Sequence, residues 1–268
     1  MLNKSIVSVD SLCYTINNKS LVDKISFNIE SGDMVSIVGP NGSGKSTLVK
    51  LISGELNPSS GNIFINNIAN FKWNVKDLSK YRSVLPQSNS LSFPFSVLDI
   101  VKMGRYPYRG IEENNITEKI CKDIINIFDL NNFINQNYMT LSGGEKQRVQ
   151  LARVLAQIWS EQNHEKLLIL DEPTSYLDIS HQYALFDLLK TINGKGLTIL
   201  MVLHDLNHAL MYSNKLIMLK SSKLMSYGKT ADVATKSRLE DIFNVSVDII
   251  KNNDRPFVVF SKKGANNG

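Results

Sequence analysis

Apolar and polar positions alternate through the first 30 residues. Ile6, Val7 and Val9, and then Ile25, Phe27 and Ile29, fall close to period two, the spacing of half-buried strands. A short apolar run at 63–65 follows the turn-forming Asn57-Pro58-Ser59-Ser60-Gly61 and reads as another strand of an antiparallel layer. Residues 34–38 form a compact, mainly apolar strand that ends at Gly39; beyond it Leu48, Leu51 and Ile52 mark one face of a helix that Gly54 stops. The middle of the chain changes period. Residues 96–103 read as a short helix opened by Ser96-x-x-Asp99. Residues 110–115 read as an exposed loop. Ile120, Ile124, Ile127 and Phe128 give 117–130 a helical stripe, and a third helix is expected over about 144–159. Two unbroken apolar runs follow, 167–170 and 197–203, as in strands buried on both faces. A helix over about 180–192 separates them. The prediction is therefore one α/β domain over 1–245, carrying a helical insertion at about 92–160. Residues 246–268 are expected to form a C-terminal strand and a loose tail.

Composition narrows the class. The 268 residues are 43% hydrophobic and 21% charged, with 15 Gly and 7 Pro, which excludes disordered, collagen-like and disulfide-scaffold chains. A net charge of +5 suits a solvated surface, or one working near anionic lipid or nucleotide, and is too small to argue for nucleic acid. Cys13 and Cys121 stand far apart, so neither a disulfide framework nor metal-ligand spacing follows. The start MLNKSIVSVDS lacks the apolar core of a signal peptide. No apolar stretch approaches the roughly 20 residues that span a bilayer. The expectation is a soluble, cytoplasmic chain that would meet a membrane only through a partner.

Four stretches carry chemistry. Gly39-Pro40-Asn41-Gly42-Ser43-Gly44-Lys45-Ser46-Thr47 fits the phosphate-binding loop G-x-x-x-x-G-K-[ST] between a strand and a helix. Its glycines let backbone N–H groups close round a phosphate, Lys45 reaches the β and γ phosphates, and the Ser46 hydroxyl holds Mg²⁺. The apolar run at 167–170 ends in Asp171 and Glu172. In open parallel sheets that edge faces the ligand, so Asp171 would lie near the Mg²⁺ and Glu172 could take a proton from an attacking water. With Pro173 next, the pair could instead be a plain helix cap. His204 ends the second buried run and should reach the same sheet edge, where it could bond a γ-phosphate oxygen. His204 and His208 form H-D-L-N-H, but the zinc-protease pattern needs Glu where Asp205 stands, so no zinc is expected. Leu141-Ser142-Gly143-Gly144-Glu145 is both a capping box and a helix N-terminus left bare by two glycines, a second anion site about 100 residues from the first.

With these motifs in order, the chain resembles the ATP-binding-cassette ATPases along nearly its whole length, to about residue 245. Gly39 to Thr47 resembles Walker A, 167–172 Walker B and 141–145 the LSGGE signature. Gln87 falls at the Q-loop position, Ser175-Tyr176-Leu177-Asp178 at the D-loop, and His204 at the switch histidine; Tyr14 stands where the family stacks an aromatic on adenine. The resemblance implies a P-loop, RecA-like α/β core with an N-terminal antiparallel layer and an inserted helical subdomain. It implies ATP and Mg²⁺ as cofactors, with Ser46, Gln87 and Asp171 toward the metal. It implies a head-to-tail homodimer in which Ser142, Gly143, Gly144 and Glu145 meet the ATP of the other copy, with Glu172 as general base. Gln87 would link the site to the surface that grips a membrane partner. The implied partners are two transmembrane permease subunits and, indirectly, a periplasmic or surface substrate-binding protein, with no nucleic acid, at the cytoplasmic face of the inner membrane.

Within the family, Val84-Leu85-Pro86-Gln87, Phe93-Pro94-Phe95 and Gly104-Arg105-Tyr106-Pro107 resemble the importer branch for iron chelates, cobalamin or haem. Residues 150–159 and the extra residues 160–166 resemble the haemin-import ATPases. Phe93-Pro94-Phe95 could also be an apolar loop packed on the helical subdomain. Tyr176 departs from the small residue usual at its position. DNA-repair cassettes carry long coiled-coil insertions, ribosome-acting ones usually hold two cassettes, and exporter ATPases are often fused to membrane segments; this sequence shows no heptad run, one Walker A and no such segment. An inactive binding module would not need Lys45, Asp171, Glu172 and His204 together.

Overall fold

The computed structural model describes residues 4–87, 93–160, 165–252 and 255–262. In chain order the elements are β1 (Ser5–Ile16), β2 (Lys19–Glu30), β3 (Met34–Val38), α1 (Lys45–Ile52), β4 (Ser60–Ile65), β5 (Ile68–Ala69), α2 (Val75–Tyr81) and β6 (Arg82–Leu85). Then come α3 (Val97–Met103), α4 (Asn114–Ile127), α5 (Gly143–Ile158), β7 (Leu167–Asp171), α6 (Ile179–Asn193), β8 (Thr198–Val202) and α7 (Leu206–Tyr212). The chain closes with β9 (Lys215–Lys220), β10 (Lys223–Lys229), α8 (Thr230–Val233), α9 (Lys236–Phe243), β11 (Ser246–Asn252) and β12 (Arg255–Ser261). They form two compact units, Met1–Lys72 with Ile199–Gly268, and Trp73–Thr198. Among the described residues no helix is long and apolar enough to cross a membrane.

The first unit holds the expected antiparallel layer, ordered β2-β1-β4-β5. Period two does not run the length of β1. Its register with β2 shifts between Val9 and Leu12, beside Ser11 at φ +48, and each irregularity moves the side chains beyond it to the other face. The parallel core pairs β3 with β8 on one side and β9 on the other. Val35, Ile37 and residues 199–202 are all fully buried, as apolar strands covered on both faces should be, and the one polar side chain of β3, Ser36, is buried against the Ser213 hydroxyl at 2.6 Å. Lys215 donates to Glu30 at 3.0 Å and to Asp33 at 2.8 Å. Asn214 bridges Asp33 and the Met34 amide, so polar side chains fix the entrances of β3 and β9. Beyond residue 245 there are two strands, β11 and β12, paired antiparallel. Asn207 on α7 holds both backbone groups of Val258, which docks this hairpin. The expected loose tail at 263–268 lies outside the described residues.

In the second unit β6 and β7 run parallel, with Leu85 opposite Leu170. The helices at 97–158 fall within the stretch expected to be helical. Ser96 and Asp99 form the predicted capping box of α3. Helix α4 starts at Asn114, inside the predicted loop. It buries Cys121, Ile124 and Ile125, leaving Ile120 and Ile127 half-exposed. Which stripe of a helix turns inward is set by what packs on it, here α3 and α5.

Candidate nucleotide and catalytic site

The phosphate loop is shaped by backbone that only glycine tolerates. Gly39 sits at φ +154, and a Cβ there would lie 2.2 Å from the Leu219 carbonyl oxygen. Gly44, at φ +101, would place a Cβ 2.4 Å from the Leu21 carbonyl oxygen. Both residues are thus pinned between β3, β9 and β2, in backbone that only glycine takes without strain. Gly44 is the N-cap of α1 and makes no side-chain cap bond, so the helix opens with amides that suit an anion. Lys45 is buried. Its ammonium donates to the carbonyls of Gly39 at 2.7 Å and Pro40 at 3.0 Å, arching back over the loop. The Ser43 hydroxyl is buried with no hydrogen-bond partner among the described residues, an orphan that a phosphate oxygen would satisfy. Ser46 and Thr47 follow on the first turn, half-buried.

His204 belongs to the same unit. The Leu203 amide donates to the Ile37 carbonyl at 3.2 Å, and β3 and β8 run parallel in register. His204 is thus brought, exposed, to the sheet edge at which Gly39 begins the loop. Tyr14 pairs with Val22 on β2, next to the Leu21 whose carbonyl confines Gly44.

The second unit gathers the carboxylates. Asp171 is buried at the end of β7 and Glu172 follows, half-buried, at φ +54. Parallel β6 brings Gln87 to the same edge, where its Nε2 donates to Glu172 Oε2 at 2.9 Å. That bond holds the Glu172 carboxylate and leaves the oxygen of the Gln87 amide as the donor a hard cation would use. Asp171, Gln87 and the Ser46 hydroxyl are all oxygen donors of the kind Mg²⁺ takes, so the residues present fit that ion.

The signature stretch opens α5. Ser142 is its N-cap: its hydroxyl accepts from the Glu145 amide at 3.3 Å, and the Ser142 amide donates to the Glu145 carboxylate at 2.7 Å. The bond from the Ser142 backbone, then its hydroxyl, holds the Glu145 carboxyl below its usual range. Gly143 has only the Tyr176 Cβ nearby, 3.5 Å from where its own Cβ would be, so the helix start is open. Tyr176 is a non-glycine residue at φ +69 with 82% of its surface exposed. Asp178 caps α6. The His181 amide, the His181 ring and the Ser180 hydroxyl bond its carboxylate and bring its pKa down to about 2.

The ABC transporter family model matches residues 22–175, from β2 through the phosphate loop and signature to the residues after β7. This chain belongs to the ABC transporter family. It is similar to the hemin import ATP-binding protein HmuV of Escherichia coli O157:H7, 37% identical over 95% of this chain and 99% of the relative. Among solved structures it matches an inward-facing metal-chelate type ABC transporter at 25% identity, TM-score 0.79, covering 96% of this chain and 97% of that one. It also matches a dimeric ATP-binding cassette bound to ADP and phosphate, at 28% identity and TM-score 0.72, over 84% of this chain and 98% of that one. The cassette is an ATPase, and its fold class is the one the motifs implied.

Some parts of the cassette were not visible in the motifs. Gln147, one turn into α5, donates to the Pro173 carbonyl at 2.8 Å and ties the signature helix to the loop after Glu172. Its only sequence signal is a polar residue on a helix that is otherwise half buried. The left-handed backbone at Glu172 and Tyr176 carries no glycine to announce it. For Phe93-Pro94-Phe95, the Tyr138 amide bonds the Phe95 carbonyl at 2.9 Å, while Phe93 stays exposed. One end of that loop packs on the helical segment and the other faces solvent.

Proposed function

We propose that this cassette is the ATP-hydrolysing subunit of an importer for hemin, working as a homodimer beneath two membrane permease subunits at the inner face of the membrane. A substrate-binding protein would hand cargo to the permease. The observation that carries the motor reading is the Gln87–Glu172 hydrogen bond at the carboxyl edge of the β6–β7 pair. It holds a carboxylate where the family's general base acts. The loop from Gly39 to Thr47 would bind the phosphates, Lys45 leaving its two carbonyls for the β and γ oxygens, and Tyr14 would stack on adenine. Glu172 would take the proton of the attacking water as its oxygen approaches the γ-phosphorus, and His204 would hold a γ-phosphate oxygen. Mg²⁺, held by Ser46, Gln87 and Asp171, would supply charge neutralisation on the phosphate oxygens. Ser142, Gly143, Gly144 and Glu145 would present their helix start to the nucleotide of the other copy, and Asp178 would stand at the same junction.

The hemin cargo is supported by the similarity to a hemin import protein along almost the full length of both chains. The similarity to a metal-chelate type transporter favours ferric chelates as the second reading. Cells lacking this chain receive the wild type or Glu172→Gln and are fed a single iron source. Growth on hemin that requires intact Glu172 is the expected result. Growth on hemin regardless, with a defect on a ferric siderophore, moves the cargo to ferric chelates.

A further inference from the structure

One face of α6 has a gap in it. His181, Ala184 and Leu185 fall at helical spacing on that face, and Ala184 is the small one. Opposite it stand Arg148 and Leu151, one turn apart on α5, and Phe128 and Asp129, where α4 has just ended. These residues line a cavity of about 280 Å³ inside the second unit. Its floor is apolar, with Phe128, Leu151 and Leu185 all buried. Leu177 forms part of the wall. Its Cδ2 also lies 3.6 Å from where a Cβ on Gly144 would be, so the cavity stands one side chain away from the signature start. Apolar lining that faces a void forfeits dispersion contacts until something fills it.

The polar groups around the cavity are unequal. His181 Nδ1 is already bonded to the Asp178 carboxylate at 2.8 Å. Arg148 is held loosely. Its Nη1 donates to the Phe128 and Asp129 carbonyls, both at 3.4 Å, beyond the usual range of roughly 2.7–3.2 Å. The same nitrogen lies 3.9 Å from the Asp129 carboxylate, which is 90% exposed, so water screens that pair and it contributes little. Nε and Nη2 make no hydrogen bond among the described residues, although the side chain is only 22% exposed. A guanidinium fork with two idle nitrogens fits a carboxylate, which accepts two parallel N–H bonds.

We propose that this cavity is a binding site for an amphipathic monocarboxylate, with its carboxylate on Arg148 and its apolar tail on Phe128, Leu151 and Leu185. Charge sets the class. One loosely held cation beside an apolar floor favours a single negative charge on an apolar body. The exposed Asp129 carboxylate at the rim repels a second negative charge, and a neutral alcohol gains nothing from the guanidinium. Volume sets the length. At roughly 30 Å³ for each water-sized group the cavity takes about nine of them, which is a chain of about eight carbons with its carboxylate. The site is independent of the cargo, and the inference stands whichever chelate the transporter moves.

Octanoate is the probe, and 1-octanol supplies the same tail without the charge. Binding to the purified full chain is measured by titration calorimetry, and folding by circular dichroism, for wild type, Arg148→Gln, Ala184→Leu and Asp129→Asn. Wild type is expected to bind octanoate with a dissociation constant below about 1 mM and octanol at least about tenfold more weakly. Arg148→Gln should weaken octanoate by about tenfold or more and leave octanol unchanged. Ala184→Leu fills the gap from an exposed helical position and should weaken both. Asp129→Asn removes the rim charge and should tighten octanoate by about two- to fivefold; asparagine accepts the φ of +52 at that residue. A wild-type dissociation constant above about 1 mM, octanol bound as tightly as octanoate, or octanoate binding untouched by Arg148→Gln overturns the inference. Arg148 also touches the end of α4, so if Arg148→Gln does not fold, Ala184→Leu and the octanol comparison on wild type decide.

Discussion

Glu172 shows how much one residue's setting decides. A carboxylate after a buried strand could have served as a cap. Instead its backbone turns left-handed at φ +54 and its oxygen receives the Gln87 amide at 2.9 Å. A non-glycine residue held there costs on the order of 1–3 kcal/mol and persists only where the surroundings enforce it. The amide differs from the carboxylate in basicity and hardly in shape, so Glu172→Gln should leave nucleotide binding intact. Turnover should fall by about 10²–10⁴, the range for losing a general base. Binding of a fluorescent ATP analogue beside single-turnover hydrolysis checks both halves; near-normal hydrolysis would remove Glu172 from the mechanism.

At the level of elements, two capping boxes of the same design do different things. Ser96 and Ser142 each close one with a carboxylate three residues on. Either serine changed to alanine should lower stability by about 1 kcal/mol, read from urea unfolding. Only Ser142→Ala should also depress ATPase activity, because only that helix start is proposed to meet nucleotide. The entrances of β3 and β9 give a pH prediction. Burial lowers the Lys215 pKa, but its bonds to Asp33 and Glu30 outweigh this and leave it raised. A raised folded value means the ammonium stabilises the fold fully below its unfolded pKa of about 10.4 and loses that contribution as pH climbs through the folded value. The gap in melting temperature between wild type and Lys215→Met should therefore be constant from neutral pH upward and narrow above roughly pH 10.4.

For the whole molecule the prediction concerns association. The signature start at Gly143 is open, and Tyr176 beside it exposes a large ring. A related cassette was solved as a dimer with ADP and phosphate bound. Glu172→Gln, which would hold ATP without consuming it, should shift from one copy to two on addition of ATP and Mg²⁺, measured by light scattering. An unchanged mass at saturating ATP would remove the homodimer from the proposal.

The sequence by itself determined the motifs and much of the secondary structure. A phosphate loop needs glycine and lysine at fixed spacing, and strands buried on both faces are mostly apolar, so both are written locally. The runs at 167–170 and 197–203 became β7 and β8 for that reason, and Ser96 and Ser142 capped the helices their spacing promised. Tertiary structure decided what depends on distant partners. The carbonyls of Leu21 and Leu219 make Gly44 and Gly39 obligatory, and no local pattern names them. The buried stripe of α4 was chosen by α3 and α5, and the β11–β12 hairpin is docked by Asn207 on α7, 51 residues earlier, through Val258. Arg105 donates to the Ala156 carbonyl, 51 residues away, a bond that exists only once the chain has folded that carbonyl beside it.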